Sequence, residues 1–267
     1  MKKLVTLLLA AGLVFSAANS ASAVEVKTSG QLDFAFDWTQ NMDEGSFFQD
    51  IDDGGTEQKH FGAVQRFRLG LEFVMSENLS ATYQAQVGTF TWGGAAGTGE
   101  NTGGVLGSRS ANIVTRLAYL DWMVPNTSVK VRMGQQSVAL PSFTFGSPVL
   151  DDTATGVVVA APLTDNFGLT GLWLRADSDF RRGTFDTKVV NDTTDLFGLI
   201  GDVKGDGFQV QPWVTVGLVG QDSPKFGVEN GLPGNATAWW AGISGELTMF
   251  DPFRLTADFM YNNVDVD

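Results

Sequence analysis

The sequence has no cysteine, one histidine, three tyrosines and only 17 basic side chains among 267 residues, against 30 acidic ones. Without cysteine there is no disulfide scaffold, no zinc–thiolate site and no thiol chemistry, so stability rests on packing and backbone hydrogen bonding. A net charge of −13 offers no basic face to phosphate, which excludes nucleic acid as a partner. Past residue 23 the longest apolar run lies near Gly156 to Leu163, far short of the roughly 20 residues a helix needs to cross a bilayer, so helical membrane spans are excluded. Disorder is excluded by what is abundant. An apolar content of 43%, with 20 phenylalanines and 7 tryptophans, buries enough surface to offset the entropy of ordering the chain.

Lys2 and Lys3 precede an apolar stretch from Leu4 to Ala18 and the small-residue end Ala21-Ser22-Ala23. This is the pattern of a secretory signal peptide over residues 1–23, cut after Ala23. Its removal leaves 244 residues (267 − 23) and a charge of −15 (15 basic, 30 acidic). No cysteine follows the cleavage site, so a lipoprotein anchor is excluded. Two classes remain: a soluble exported protein, or a β-barrel in an outer membrane.

Directly after the cleavage site the chain alternates. Val24, Val26, Thr28, Gly30, Leu32, Phe34, Phe36 and Trp38 interleave with Glu25, Lys27, Ser29, Gln31, Asp33, Ala35 and Asp37. Period two is the strand period, because successive side chains point to opposite sides of a pleated backbone. Phe67, Leu69, Leu71 and Phe73 likewise interleave with Arg66, Arg68, Gly70 and Glu72, and Val129, Val131 and Met133 with Lys130, Arg132 and Gly134. Val210, Pro212, Val214, Val216 and Leu218 interleave with Gln209, Gln211, Trp213 and Thr215, and Phe253, Leu255, Ala257, Phe259 and Tyr261 with Arg254, Thr256, Asp258 and Met260.

Eleven strands are predicted, over about 24–38, 63–75, 79–91, 111–123, 128–137, 156–162, 167–176, 195–203, 208–219, 237–249 and 253–262. Their connections alternate strictly between long (about 39–62, 92–110, 138–155, 177–194 and 220–236) and short ones of three or four residues. Short turns on one rim and long loops on the other are the layout of an up-and-down outer-membrane barrel. A secreted β-sandwich or β-solenoid also alternates, but it buries its apolar rows in an interior core. The loop sorting and the aromatics near strand ends (Trp38, Phe73, Trp92, Trp122, Tyr261) favour the barrel with its interfacial girdles.

The stretch Thr-Arg-Leu-Ala-Tyr-Leu-Asp-Trp from Thr115, followed after a turn by Val-Lys-Val-Arg-Met-Gly-Gln-Gln, resembles the fourth and fifth strands of trimeric general-diffusion porins, most closely the homotrimeric porins of sulfate-reducing bacteria. The resemblance implies a 16-strand barrel, a homotrimer, and a loop after the fifth strand that folds inward and constricts the pore. Here that loop falls at about 138–155, with Asp151 and Asp152 in it. It lacks the glutamate and second glycine of the family's Pro-Glu-Phe-Gly-Gly element, and Gly134-Gln135 stands where the family often has Gly-Arg. An odd count of eleven strands, with a sixteen-strand relative in view, makes the sequence look truncated at its C-terminus.

If the apolar rows meet lipid, alternation places Lys27, Arg66, Arg68, Lys130 and Arg132 inside, and the resemblance adds Arg116. Guanidiniums stay charged, so such a group is stable only when hydrated or opposed by carboxylates, and a water-filled pore provides the first. Asp151 and Asp152 on the inward loop then complete a transverse field at the constriction. The acidic stretch from Asp43 to Glu57, with Asp50, Asp52 and Asp53, offers weak candidate oxygens for calcium, but its spacing lacks the glutamate that a twelve-residue calcium loop requires, and a solvated outer loop fits it better. His60, the lone histidine, has no serine elbow beside it, so no catalysis and no cofactor are expected. The expected protein is therefore an all-β, antiparallel transmembrane β-barrel over residues 24–267, exported through the periplasm to the outer membrane. It passes ions and small hydrophilic solutes by passive diffusion, with outer-membrane lipid, lipopolysaccharide and its own copies as partners. A secreted β-rich binding or adhesion protein is the alternative.

Overall fold

The computed structural model describes residues 24–42, 58–95, 103–107, 113–178, 193–223, 226 and 234–266. Residues 1–23, expected to be a signal peptide, and the carboxylates of Asp50, Asp52 and Asp53 lie outside them, as does the side chain of His60.

Among the described residues, eleven strands form one antiparallel sheet in which every strand neighbours its sequence neighbour. They are β1 (Glu25–Met42), β2 (Gln58–Ser76), β3 (Leu79–Thr91), β4 (Ile113–Met123), β5 (Lys130–Ala139), β6 (Asp151–Pro162), β7 (Phe167–Ser178), β8 (Thr193–Gly205), β9 (Phe208–Val219), β10 (Ala236–Phe250) and β11 (Phe253–Val266). All eleven predicted strands are present, and no helix among the described residues is long and apolar enough to cross a membrane.

The sheet divides into two compact units. Among the described residues, unit 1 takes Val24 and Glu25 together with those of Phe73–Thr82 and Leu117–Asp267; unit 2 takes those of Val26–Glu72 and Tyr83–Arg116. All five short turns belong to unit 1, and three of them accept a backbone bond from the adjacent strand end. Met123 N donates to Asn78 O at 2.9 Å, Lys204 N to Asn166 O at 3.0 Å, and Thr248 N to Gly207 O at 2.8 Å. Asp206-Gly207 joins β8 to β9 in two residues, with Gly207 at φ +74°, the left-handed region that glycine enters without steric cost.

One predicted boundary moves. The connection between β5 and β6 is residues 140–150 rather than 138–155, because Asp151-Asp152-Thr153-Ala154-Thr155 pairs residue by residue with Ala139 back to Gln135. That run carries no apolar alternation, and backbone pairing does not require one. Asp151 and Asp152 are therefore strand residues, not loop residues.

Within β5 and β6, Gly134 and Gly156 are register partners. A β-carbon on Gly134 would lie 2.8 Å from Tyr119 Cα, and one on Gly156 2.8 Å from Leu174 Cα, so both strands can approach their neighbours only with glycine there. The Gln136 amide, fully buried, donates to both glycine carbonyls, at 3.4 and 3.2 Å.

Candidate functional site

In unit 1 the two faces of the sheet differ chemically, and the register shows which residues share each. Val158, Leu172, Gly198, Thr215 and Trp240 stand side by side across β6 to β10. The adjoining row, Val157, Trp173, Phe197, Val216 and Trp239, projects from the opposite side. Leu174 is 1% exposed where Trp173 is 40%, and Trp213 is 6% exposed where Val214 is 41%. Burial thus falls on the face that alternation marks as wet, and the apolar rows lie open. Met133, Val159, Leu199, Leu218, Ile243 and Phe259 are exposed on that open face. No second sheet covers it among the described residues.

The loop between β5 and β6 covers the other face. Leu140 N donates to Leu150 O at 2.9 Å, closing the loop at its base. Val138 and Leu140, with Val149 and Leu150 beside them, pack on Leu172, Leu174 and Trp213. Farther along the loop, the Asp258 carboxylate of β11 accepts from Ser142 Oγ at 2.6 Å, Phe143 N at 3.1 Å, Thr144 N at 3.3 Å and the Thr144 hydroxyl. Ser244 Oγ of β10 donates to Pro141 O at 2.9 Å. A cleft of about 450 Å³ stays open beside these contacts, lined among others by Phe145, Ser147, Asp151, Trp213 and Met260.

Several charged groups on the covered face are paired. Arg132 Nε and Nη2 donate to Asp121 Oδ1 and Oδ2 at 2.7 and 2.8 Å, and Lys130 Nζ lies 2.9 Å from Asp121 Oδ2. Two-pronged guanidinium–carboxylate contacts of this kind fix orientation as well as charge. Toward the short turns Arg254 grips Glu246 through both oxygens, at 2.6 and 3.0 Å, and Asp202 accepts from Gln209 and Gln211 at 2.5 and 3.2 Å with Lys204 Nζ 3.7 Å away.

Unit 2 holds the other predicted cations. Arg66 donates to Asp33 Oδ2 from Nε at 3.1 Å and Nη2 at 2.9 Å. Arg68 Nε donates to Gln86 Oε1 at 2.8 Å, and Arg116 Nη1 to Gln84 Oε1 at 2.9 Å. Arg66, Arg116 and Asp33 all lie within electrostatic reach of Arg68, so these residues form one group. Lys27, two strand repeats from Gln31 on β1, is exposed to solvent.

No protein-family model matches this chain, and no curated protein matches it. Among solved structures it is similar to OmpTdeltaL8, a loop L8 deletion mutant of OmpT, an outer membrane protein of Vibrio cholerae. The TM-score is 0.42 and the identity 12%, over 90% of this chain and 82% of that one.

The two expected loop carboxylates are separated by their place in β6. Asp152 shares the parity of Ala154 and Val158, and its Oδ1 accepts from Thr153 N at 2.6 Å. Asp151 sits at the strand's first position, where its carboxylate lies beside Gly146 at the cleft. Alternation alone missed Asp258, Ser142 and Thr144. Asp258 does stand in the polar row of β11, but nothing local marks a partner more than a hundred residues away. It also missed the apolar cluster of Leu172, Leu174 and Trp213 on the wet-marked face, which exists because the loop lies on it.

Proposed function

We propose that this chain forms the wall of a water-filled channel in an outer membrane, through which ions and small hydrophilic solutes diffuse passively. The observation that carries this is the orientation of the sheet in unit 1: apolar rows lie open, with the Arg175–Asp195 pair near the long-loop end of β7 and β8, while the Arg132–Asp121, Lys130–Asp121 and Arg254–Glu246 pairs and a folded-in loop occupy the other face. In water such a face would cost roughly 25 cal/mol for each Å² left exposed. In hydrocarbon it costs nothing, and the charged face then needs water on its own side, which a lumen supplies. Every backbone group must be paired in lipid, so the outermost strands β1 and β11 close the sheet with partners when it is in place.

On this reading the covered face is the lumen, and the loop at residues 140–150 narrows it. Arg66, Arg68, Arg116, Lys130 and Arg132 line the permeation path with Asp33 and Asp121 as counter-charges. The resemblance to trimeric diffusion porins supports a sixteen-strand barrel and a homotrimer surrounded by lipid and lipopolysaccharide. The signal peptide accounts for export through the periplasm. The protein carries out no chemistry.

The deciding experiment joins two measurements on protein extracted from membranes: gel migration before and after boiling, and conductance in planar bilayers. A channel gives heat-modifiable migration and stepwise conductance increments. A protein that stays soluble without detergent and leaves bilayers silent would be the secreted β-rich binder instead.

A further inference from the structure

We propose that Asp258 is a positioning residue: from β11 it pins the 140–150 loop against the wall, and so sets the open cross-section of the channel. The inference rests on the lumen assignment above and adds what holds the loop in place. The base of the loop is fixed by the Leu140–Leu150 backbone bond and by apolar packing on Leu172, Leu174 and Trp213. Those contacts end at Leu140 on one side and Val149 on the other. Between them Thr144, Phe145 and Gly146 are exposed, Phe145 fully, so the tip itself gains no hold from burial, which resumes only at Ser147. Four loop donors meet there on one carboxylate, and Ser244 adds a single bond to the Pro141 carbonyl. An ionised acceptor makes shorter and stronger bonds than a neutral one, and two of the four donors are backbone N–H groups, so the backbone path itself is fixed.

Loss of this carboxylate in a wet lumen does not leave the donors stranded, because water replaces it. What is lost is the single position. The tip then samples several, and the lumen is wider for part of the time.

Three variants of the intact protein separate this from a plain charge effect. Asp258→Ala removes both the anchor and a lumen charge. The pair Ser142→Ala with Thr144→Ala removes two of the four bonds and leaves every charge in place. The pair Ser142→Cys with Asp258→Cys creates the only two thiols in a chain without cysteine, and a short bis-alkylating reagent can join them. Single-channel recordings, uptake of neutral sugars of graded size, and migration before and after boiling are measured for each.

The expected result is a noisier channel in Asp258→Ala, with conductance raised by up to roughly twofold and larger sugars admitted, since pore diameter governs both. Ser142→Ala with Thr144→Ala shifts the same way by less. The cross-linked cysteine pair returns to the parent's quiet level, and the same protein before cross-linking does not. Heat-modifiable migration is unchanged throughout. Asp258→Asn, which keeps one acceptor oxygen, serves if the alanine variant does not assemble. The inference is overturned if both anchor-breaking variants match the parent in noise and cut-off, or if only the charge-removing variants change and cross-linking restores nothing. A parent protein that forms no channel would instead sink the transport function itself.

Discussion

Asp121 holds Arg132 through both carboxylate oxygens while also taking Lys130, and the guanidinium carbon of Arg132 lies 4.1 Å from the centre of the Tyr119 ring. Two cations thus share one anion on the covered face. Asp121→Asn leaves the shape almost unchanged and raises the local charge by one. The zero-current potential across a salt gradient should then move toward anion selectivity. The shift should be largest in dilute salt and fade near 1 M, where the screening length falls to about 3 Å. No movement in dilute salt, or movement toward cations, would take this cluster out of the permeation path.

The reverse change tests the arginines as a group. Converting Arg66, Arg68, Arg116 and Arg132 to glutamine removes four positive charges, while glutamine keeps a hydrogen-bonding end for Asp33, Gln86, Gln84 and Asp121. Selectivity should move toward cations, read from the same potential measurement. Unchanged selectivity would show that these side chains face something other than the conducted ions.

Gly134 and Gly156 give a prediction about stability that is independent of transport. Gly134 sits at φ +124° with no room for a β-carbon against the Ala118–Tyr119 backbone. Gly134→Ala should cost about 1–3 kcal/mol through strain and displacement of β4. Urea titration of the protein refolded into vesicles would show the midpoint falling. An unchanged midpoint would mean that the two strands do not approach as closely as described.

These predictions mark where local sequence information ends. The strands were legible because alternation is a property of neighbours in the chain, and Phe67-Arg68-Leu69 or Val131-Arg132-Met133 carries it without reference to anything distant. The start of β6 was not legible, because Asp151 to Thr155 joins the sheet by backbone bonds to β5 and shows no alternation of its own. Arg66, Arg68 and Arg132 were recognisable as members of the polar row, but not Asp33, Gln86 or Asp121 as their partners, since pairing depends on register between strands. Asp258 is the extreme case. Its meaning depends on a loop that leaves the sheet after β5 and returns to touch β11, a path that only tertiary structure reveals.

The open face permits the most direct test of what surrounds the protein. Val214 lies mid-strand in β9, in register with Leu199 and Ala241 on the exposed apolar side, and Gln211 lies three residues away on the opposite, covered side. A cation facing hydrocarbon near the bilayer midplane costs about 2–4 kcal/mol, whereas one facing a wet lumen costs far less. Val214→Arg should therefore destabilise the protein by that amount when folding is measured in lipid vesicles, and Gln211→Arg should change it by less than about 1 kcal/mol, the scale of an exposed charge contact. In detergent micelles, where the arginine can reach water by snorkelling past the rim, the gap between the two should narrow. Equal costs in vesicles would mean that Val214 does not touch lipid, and the outward apolar rows would then need a protein partner to cover them.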